Sequence, residues 1–159
     1  NEFVFEFLTK HDNDYLTELH QLFMQKVIRP QMRPEGFKAI ERHREAGHEL
    51  VGITATSDFI TAPIFREFGI NEIIATNAEI VDGKYTGKVI NTACYQKGKL
   101  IRLEQWLEGR DVTESWAYSD SINDRFLLEH ADHAIAVNPD DRLEALAKEQ
   151  GWKIQDWSI

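Results

Sequence analysis

The chain has 159 residues, of which 42% are hydrophobic and 28% charged, a composition typical of a soluble globular domain with a sizeable core. Its formal net charge of −9 disfavours nucleic acid and anionic membrane surfaces as general partners. No apolar run approaches the ~20 residues of a membrane span, and the single cysteine, Cys94, excludes an intrachain disulfide and favours a reducing, cytoplasmic setting.

The N-terminal part of the chain is predicted to be helical. Residues 14–28 carry apolar side chains at helical spacing, and Asp12 or Asp14 can cap this helix. The apolar stripe consists of Leu16, Leu19, Phe23 and Val27. Residues 29–34 contain two prolines and are therefore the best candidate for a linker.

Beyond this linker, predicted helices and strands alternate. In chain order they are a helix at 35–46, a strand at 49–53, a helix at 57–68, a strand at 72–76, a hairpin at 79–90, a helix at 97–107, a strand at 114–117, a helix at 125–129, a strand at 134–137, a helix at 139–150 and an edge strand at 153–157. Asp82-Gly83 favours the tight turn of the hairpin, and Pro139 is predicted at the first position of the last helix. The alternation predicts an α/β fold whose mostly parallel sheet is covered by helices on both faces.

The most informative stretch is the polar segment 118–124, which joins a predicted strand to a predicted helix. Its two carboxylates, Asp120 and Asp124, lie at the carboxyl end of the strand, where open α/β sheets bind ligands. Such a pair suits a hard cation such as Mg²⁺. A helix cap by Asp120 or Ser121 is the plainer alternative, but one cap does not explain the whole cluster.

Three weaker signals accompany this cluster. Residues 53–57 place hydroxyls between a strand and a helix start, which can bind an anion or simply cap the helix. Lys99 lies near a helix start, where the helix dipole disfavours a cation, although a solvated surface lysine is the default. Asn123, between the two acids, can donate to a phosphate oxygen or act as a cap.

In this order and spacing, the segments resemble the motifs of the haloacid dehalogenase superfamily. Ile53-Thr54 is similar to motif two, and Gly98-Lys99 is similar to motif three. Residues 119–124 resemble motif four in its Gly-Asp-Ser-x-x-Asp form, with Ser119 in place of glycine. The wider likeness, from Phe23 to Trp152, is to subfamily IB, which includes the phosphoserine phosphatases.

The resemblance implies a three-layer, Rossmann-like α/β core over residues 31–159, with a mostly parallel sheet and a β-hairpin insertion. Residues 1–30 would be the C-terminal part of a helical cap. The implied activity is Mg²⁺-dependent hydrolysis of a small phosphomonoester, of the phosphoserine or histidinol phosphate type, through an aspartyl-phosphate intermediate. The implied partner is therefore a small phosphorylated metabolite, and the oligomeric state is left open.

The same resemblance assigns roles to individual residues. Lys99 would neutralise the charge shared by the nucleophile and the phosphate, a task that fits the electrostatic nature of phosphoryl transfer. Asp120 would ligate Mg²⁺, with Asp124 supporting it. The residues implied to bind the phosphate or substrate are Thr54, Ala55 and Asn123.

The family's nucleophile motif, an apolar strand ending in Asp-x-Asp-x-Thr, is not found in this chain. Asp12-Asn13-Asp14 is the single Asp-x-Asp sequence, and residues 3–8 before it alternate in a way that could pass for a strand. However, Thr9-Lys10-His11 intervene and Leu16 stands where threonine is required, so Asp12 is read as a helix cap. We therefore expect motif one upstream of Asn1, and an inactive chain in its absence.

Two other functions remain open at this stage. A non-catalytic α/β module derived from a phosphatase would bind metal and anion without turnover, and the missing nucleophile favours it. A phospho-acceptor signalling domain also combines acids, a threonine and a lysine. In such a domain the acids precede the threonine and the lysine, whereas here the acidic cluster follows Thr54 and Lys99.

Overall fold

The structure is a computed structural model that describes residues 2–90 and 94–159. The chain divides into two compact units, Asn1–Cys94 and Tyr95–Ile159. The first unit contains α1 (Glu2–Thr9), α2 (Asn13–Phe23), a π-helix (Met24–Ile28), a 3₁₀ helix (Arg29–Gln31), α3 (Pro34–Glu45), β1 (Val51–Ser57), α4 (Asp58–Glu67), β2 (Glu72–Thr76), β3 (Ala78–Val81) and β4 (Lys84–Val89). The second contains α5 (Lys97–Leu107), β5 (Trp116–Ser119), a 3₁₀ helix (Ile122–Asp124), α6 (Arg125–His130), β6 (His133–Val137), α7 (Asp141–Gln150) and β7 (Lys153–Gln155).

The segment before Asp12 is helical, so the strand-like alternation of its phenylalanines is misleading. Phe5 and Leu8, three residues apart, are buried on one face of α1, whereas Phe3 is 78% exposed. This face packs with Leu16 of α2 and Ala78 of β3 in the core of the first unit. Burial at helical spacing therefore decides the conformation of this segment.

The predicted amphipathic helix exists as α2 and the π-helix, but only Leu16 and, in part, Phe23 of its apolar stripe are buried. The buried residues are Leu16, His20 and Met24, whereas Leu19 and Val27 are 39% and 41% exposed. The His20 ring tolerates burial because its Nε2 hydrogen-bonds the Ile60 carbonyl at 3.0 Å. The pattern of hydrophobic residues alone could not identify this buried face, because its central residue is a histidine whose ring nitrogen is hydrogen-bonded.

The α/β class with mostly parallel strands is confirmed. In the first unit, β1 and β2 pair in parallel across α4, and β3 and β4 form the expected antiparallel hairpin. Asp82 (φ 51°) and Gly83 (φ 75°) form its turn with the two positive φ values that such a hairpin turn requires. No helix among the described residues is both long and apolar enough to cross a membrane.

The second unit is a parallel sheet in the order β5-β6-β7, with β7 at one edge as expected. Small residues of β6 pack against α6 and α7. The buried core residues are Leu128, Ala134, Ala136, Leu143 and Ala147. Because the strands are parallel, their carboxyl ends lie at one edge of this sheet, and the acidic segment after β5 begins there.

Three boundaries differ from the sequence prediction. β1 runs on from Ile53 to Ser57, because Ser57 pairs with Thr76 of β2. β5 ends at Ser119, so Asp120 follows the strand directly. Pro139 lies outside α7, because the Asp140 side chain caps that helix. The predicted division into a cap segment (1–30) and a core (31–159) stays a prediction.

Candidate functional site

β1 ends in a short polar stretch, residues 54–57, and α4 begins at the next residue. The pairing of β1 with β2 is irregular between Ile53 and Ser57, and such irregularities are common beside functional sites. Thr54 Oγ1 accepts a hydrogen bond from the Thr56 backbone N–H at 3.1 Å. Because the oxygen is the acceptor in that bond, the hydroxyl proton of Thr54 can still donate to an anion.

Ser57 and Asp58 explain how α4 starts. Ser57 Oγ accepts from the Phe59 N–H at 3.3 Å, and Asp58 Oδ1 accepts from the same group at 2.9 Å. Asp58 also accepts from the Ala78 N–H at 3.2 Å and from the Asn77 side chain at 3.0 Å. The capping alternative is therefore confirmed for Ser57, while Thr54 stays a candidate for binding.

An open cleft of about 840 Å³ lies within the first unit, between α2 with the π-helix on one side and α4 with the hairpin on the other. Its lining residues are Thr17, His20, Gln21, Met24, Gln25, Arg29, Asp58, Phe59, Ala62, Pro63, Arg66, Glu67, Ile80 and Tyr85. Burial, followed by the nearby Asp58 charge, raises the pKa of the Tyr85 hydroxyl. Sequence analysis missed this cleft because its walls are far apart along the chain.

In the second unit, Lys99 is buried and paired rather than a solvated surface lysine. It lies in the first turn of α5 and is 8% exposed. Its Nζ donates to Asp124 Oδ1 at 2.5 Å, and Ser119 Oγ donates to Asp124 Oδ2 at 2.7 Å. Lysine is seldom buried unless it is paired, and the Asp124 charge offsets the unfavourable helix dipole. The pair therefore fixes a cation near the carboxyl end of β5.

The two acids of the cluster have unequal surroundings. Both carboxylate oxygens of Asp124 are hydrogen-bonded, one to Lys99 and one to Ser119. Asp120 is exposed, and within the described part of the second unit its carboxylate has no hydrogen-bond partner. Asp120 is thus the acid whose oxygens are available to a cation, whereas Asp124 holds the lysine.

This donor set fits Mg²⁺ better than a soft metal. Among the described residues, no group of three or more His, Cys, Asp or Glu side chains is placed to hold a metal ion. Zinc usually needs three or four protein ligands. Mg²⁺ needs fewer, because it keeps several waters and is often bound through one or two carboxylates plus substrate phosphate. Asp120 provides such a carboxylate, with Asp124 close by in the sequence.

The residues around the acids organise the segment after β5. Ser119, which replaces the expected glycine, accepts from the Ser121 N–H at 3.1 Å while donating to Asp124. Ser121 caps the following 3₁₀ helix by accepting from the Asn123 N–H at 3.3 Å. The exposed Asn123 side chain accepts a long bond from Gln96 at 3.5 Å and caps no helix. The role of Ser119 was signalled in the sequence only by its departure from glycine.

Asp140 is a second residue that sequence analysis missed. Its Oδ1 accepts from the Leu143 N–H at 2.8 Å, and its Oδ2 accepts from the Ile122 N–H at 2.9 Å. Its own N–H donates to the Asp120 carbonyl at 2.8 Å. The hydrogen bonds from Ile122 and then Leu143 lower the pKa of the Asp140 carboxyl. A Pro-Asp pair before a helix was the available signal.

Comparison with known families gives a match to the model for haloacid dehalogenase-like hydrolases over residues 1–129. Among curated proteins, a histidinol-phosphatase of Neisseria meningitidis is 40% identical over 153 residues, which are 92% of this chain and 69% of that protein. A phosphoserine phosphatase of Mycobacterium tuberculosis is 39% identical over 121 residues, covering 75% of this chain. The chain spans only 39% of the length of that mycobacterial relative.

Solved structures agree with these sequence matches. A Bordetella pertussis protein of unknown function has a TM-score of 0.93 and 39% identity, over 99% of this chain and 73% of that chain. A probable phosphoserine phosphatase of Vibrio cholerae has a TM-score of 0.67 and 19% identity, over 87% of this chain and 42% of that chain. At that identity, the second similarity concerns the fold alone.

Proposed function

Because this chain belongs to the haloacid dehalogenase-like hydrolase family and is phosphoserine-phosphatase-like within it, we propose that its protein is a Mg²⁺-dependent phosphatase of small phosphomonoesters. The family predicted from the motifs is thereby confirmed, as is the enzyme class at the level of the family. The proposed reaction proceeds through an aspartyl-phosphate intermediate.

The observation that carries this proposal is the buried Lys99–Asp124 pair beside the exposed Asp120. Asp124 holds the ammonium group of Lys99 in place through a 2.5 Å bond. A fixed cation is what phosphoryl transfer needs, because its catalysis consists mostly of positioning and of neutralising charge. We assign Lys99 to the charge shared by the phosphate and its attacking carboxylate.

Asp120 would hold Mg²⁺, and the ion would supply further neutralisation of phosphoryl charge. Asp124 supports this site through Lys99. Asn123, exposed between the two acids, is assigned to the substrate or phosphate. For the first unit, we assign Thr54 and Ala55 to phosphoryl oxygens, since the Thr54 hydroxyl can donate at the irregular end of β1.

The nucleophile is proposed to lie in an Asp-x-Asp-x-Thr motif encoded upstream of Asn1. Asp12 is poorly suited to that role, because it follows the helix α1 and its side chain accepts from the Tyr15 N–H at 2.9 Å as the cap of α2. A family nucleophile instead ends an apolar strand. This position of Asp12 supports the proposal that the chain as given has little activity alone.

For the substrate we propose a small phosphomonoester of the histidinol phosphate or phosphoserine type. The names of the Neisseria and Mycobacterium relatives support this class, and the 840 Å³ cleft of the first unit is large enough for a small metabolite. The net charge of −9 argues against nucleic acid, and a single, buried cysteine, Cys94, suits a cytoplasmic setting.

The full-length protein provides the test. With p-nitrophenyl phosphate, we expect turnover that requires Mg²⁺ and that falls by orders of magnitude in Asp120→Asn, because the metal site loses its charge. Asp111→Asn makes the same change on an exposed aspartate of the second unit and should leave turnover intact. Asp12→Asn should also have little effect, since asparagine caps a helix as well as aspartate does.

Two results would contradict the proposal. A collapse of turnover in Asp12→Asn would identify Asp12 as the nucleophile and show that its capping role had been overvalued. A full-length protein that binds Mg²⁺ and phosphate without any turnover would favour the non-catalytic binding module, the one alternative that the missing nucleophile motif supports.

A further inference from the structure

We propose that Asp140 is a positioning residue that holds the segment carrying Asp120 in its metal-binding conformation. The inference rests on the proposed function in one respect, namely the assignment of Asp120 to Mg²⁺. It extends that function to a residue outside the recognised motifs, because Asp140 lies beyond β6 and contacts the Asp120 segment only through the fold.

The segment after β5 needs such support. β5 ends at Ser119, and the side chain of Asp120 is exposed with no hydrogen-bond partner among the described residues of the second unit. Its backbone, in contrast, is held at Asp120 itself and again two residues later, at Ile122. The Asp120 carbonyl accepts from the Asp140 N–H at 2.8 Å, and the Ile122 N–H donates to Asp140 Oδ2 at 2.9 Å.

The parallel sheet explains why Asp140 reaches this place. Ser119 of β5 is in register with Ala136 of β6, so the segments that leave these two strands emerge side by side. Asp140 follows β6 closely and is the N-cap of α7, with Oδ1 accepting from the Leu143 N–H at 2.8 Å. One carboxylate thus joins the start of a helix to the segment after the neighbouring strand.

Helix capping alone does not account for this arrangement. A cap needs one acceptor oxygen, and in Asp140 the bond to Leu143 already provides it. The other two bonds, to the backbone of Asp120 and Ile122, add nothing to α7. Since hydrogen bonds to a carboxylate are roughly twice as strong as neutral ones, the bond from Ile122 is a substantial restraint on the segment.

Two substitutions separate capping from positioning. Asp140→Ser keeps a capping oxygen for α7 but has no second oxygen for Ile122. Ile122→Pro removes the donor and keeps the Asp140 carboxylate as the cap of α7, but it also shortens a side chain that packs against the core of this unit. Proline suits this position, because Ile122 is the first residue of a 3₁₀ helix and the preceding Ser121 is extended, with φ −122° and ψ 137°.

The experiment measures metal binding directly. Mn²⁺ binding to the metal-free full-length protein is followed by electron paramagnetic resonance, alongside the Mg²⁺ dependence of p-nitrophenyl phosphate hydrolysis. In both variants we expect the metal Kd to rise about tenfold or more, as for other residues that hold a metal-binding carboxylate in place. Saturating Mg²⁺ should restore most of kcat, and the KM for the phosphomonoester should change little.

The double variant and a control sharpen this test. Asp140→Ser combined with Ile122→Pro should bind Mn²⁺ no more weakly than either single variant, because all three lack the same hydrogen bond. Asp111→Asn should bind Mn²⁺ like the wild type. Wild-type metal affinity in either folded single variant would overturn the inference, while leaving the proposed function intact. A wild-type protein that neither binds Mn²⁺ nor turns over would overturn both.

Discussion

At the residue scale, the buried pair of Lys99 and Asp124 is the feature on which the candidate site depends. Their side chains are only 10% and 16% exposed, and Ser119 occupies the second oxygen of Asp124. Burying a lysine and an aspartate together costs desolvation energy that their attraction only partly repays. A buried ion pair that adds little to stability points to another role. Positioning a cation for the phosphate is such a role.

A double-mutant cycle of Lys99→Met, Asp124→Asn and the variant with both changes separates these roles. Lys99→Met should destabilise the full-length protein by about 3 kcal/mol or more, because it leaves a nearly buried carboxylate without its cation. Adding Asp124→Asn should recover much of that loss, since the neutral amide can still accept from Ser119. Turnover should be lost in Lys99→Met and in the double variant, because both lack the cation that neutralises the charge of the phosphate. Urea unfolding and the hydrolysis assay measure the two effects.

Lys97→Met is the matched control for this cycle, since Lys97 lies in the same turn of α5 but is exposed. It should change the free energy of unfolding by about 1 kcal/mol or less, because Lys97 loses only an exposed contact between its ammonium group and the Phe126 ring, 5.6 Å away. A double variant as unstable as Lys99→Met alone would show that the unpaired charge of Asp124 does not explain the loss of unfolding free energy in Lys99→Met.

At the scale of elements, a hydrogen-bonded histidine pair joins the last turn of α3 to the connection that leads to β1. His43 Nδ1 and His48 Nδ1 are 2.8 Å apart, and the His48 N–H donates to the His43 carbonyl at 3.0 Å. One ring must donate and the other accept, so the pair cannot keep this bond when both rings are fully protonated. Partial burial, then His48 and Arg42, lowers the pKa of His43.

This shift predicts a dependence of stability on pH. With its pKa lowered by folding, His43 stays neutral in the native protein at a pH where the unfolded chain already binds a proton. Its contribution is therefore fully present above the unfolded pKa of about 6.5 and is lost as the pH falls below it. Between about pH 8 and pH 5, His43→Gln should lose less unfolding free energy than the wild type. Equal losses in chemical denaturation would contradict this assignment.

At the scale of the whole molecule, the proposed function rests on an Asp-x-Asp-x-Thr motif, which the 159-residue sequence does not contain. We expect the reading frame upstream of Asn1 to encode an apolar strand ending in Asp-x-Asp-x-Thr. The full-length protein should hydrolyse phosphomonoesters, and the 159-residue chain should show little or no turnover, because its one Asp-x-Asp motif caps α2.

Sequencing the upstream region and assaying both proteins side by side provide the measurement. Strong turnover by the 159-residue chain, or an active full-length protein without the upstream motif, would contradict the expectation. The second result would require a different nucleophile, and the site residues would then have to be assigned again.

The sequence by itself determined the family, the α/β class and the places of most elements. Local signals were sufficient there: Asp82-Gly83 specifies a hairpin turn, and glycine after a helix ends it. The order of the motifs at Thr54, Lys99 and Asp120 identified the family, because strand ends and helix starts recur in a fixed sequence in such folds.

Only the tertiary structure decided which face of α2 is buried and how the acids differ. His20 is buried because the Ile60 carbonyl of α4 accepts a hydrogen bond from its ring, a partner that no local pattern shows. Asp124 is committed to Lys99, whereas Asp120 is held through its backbone by Asp140. These outcomes depend on contacts between residues far apart in the chain, which the parallel sheet creates by placing the ends of neighbouring strands together.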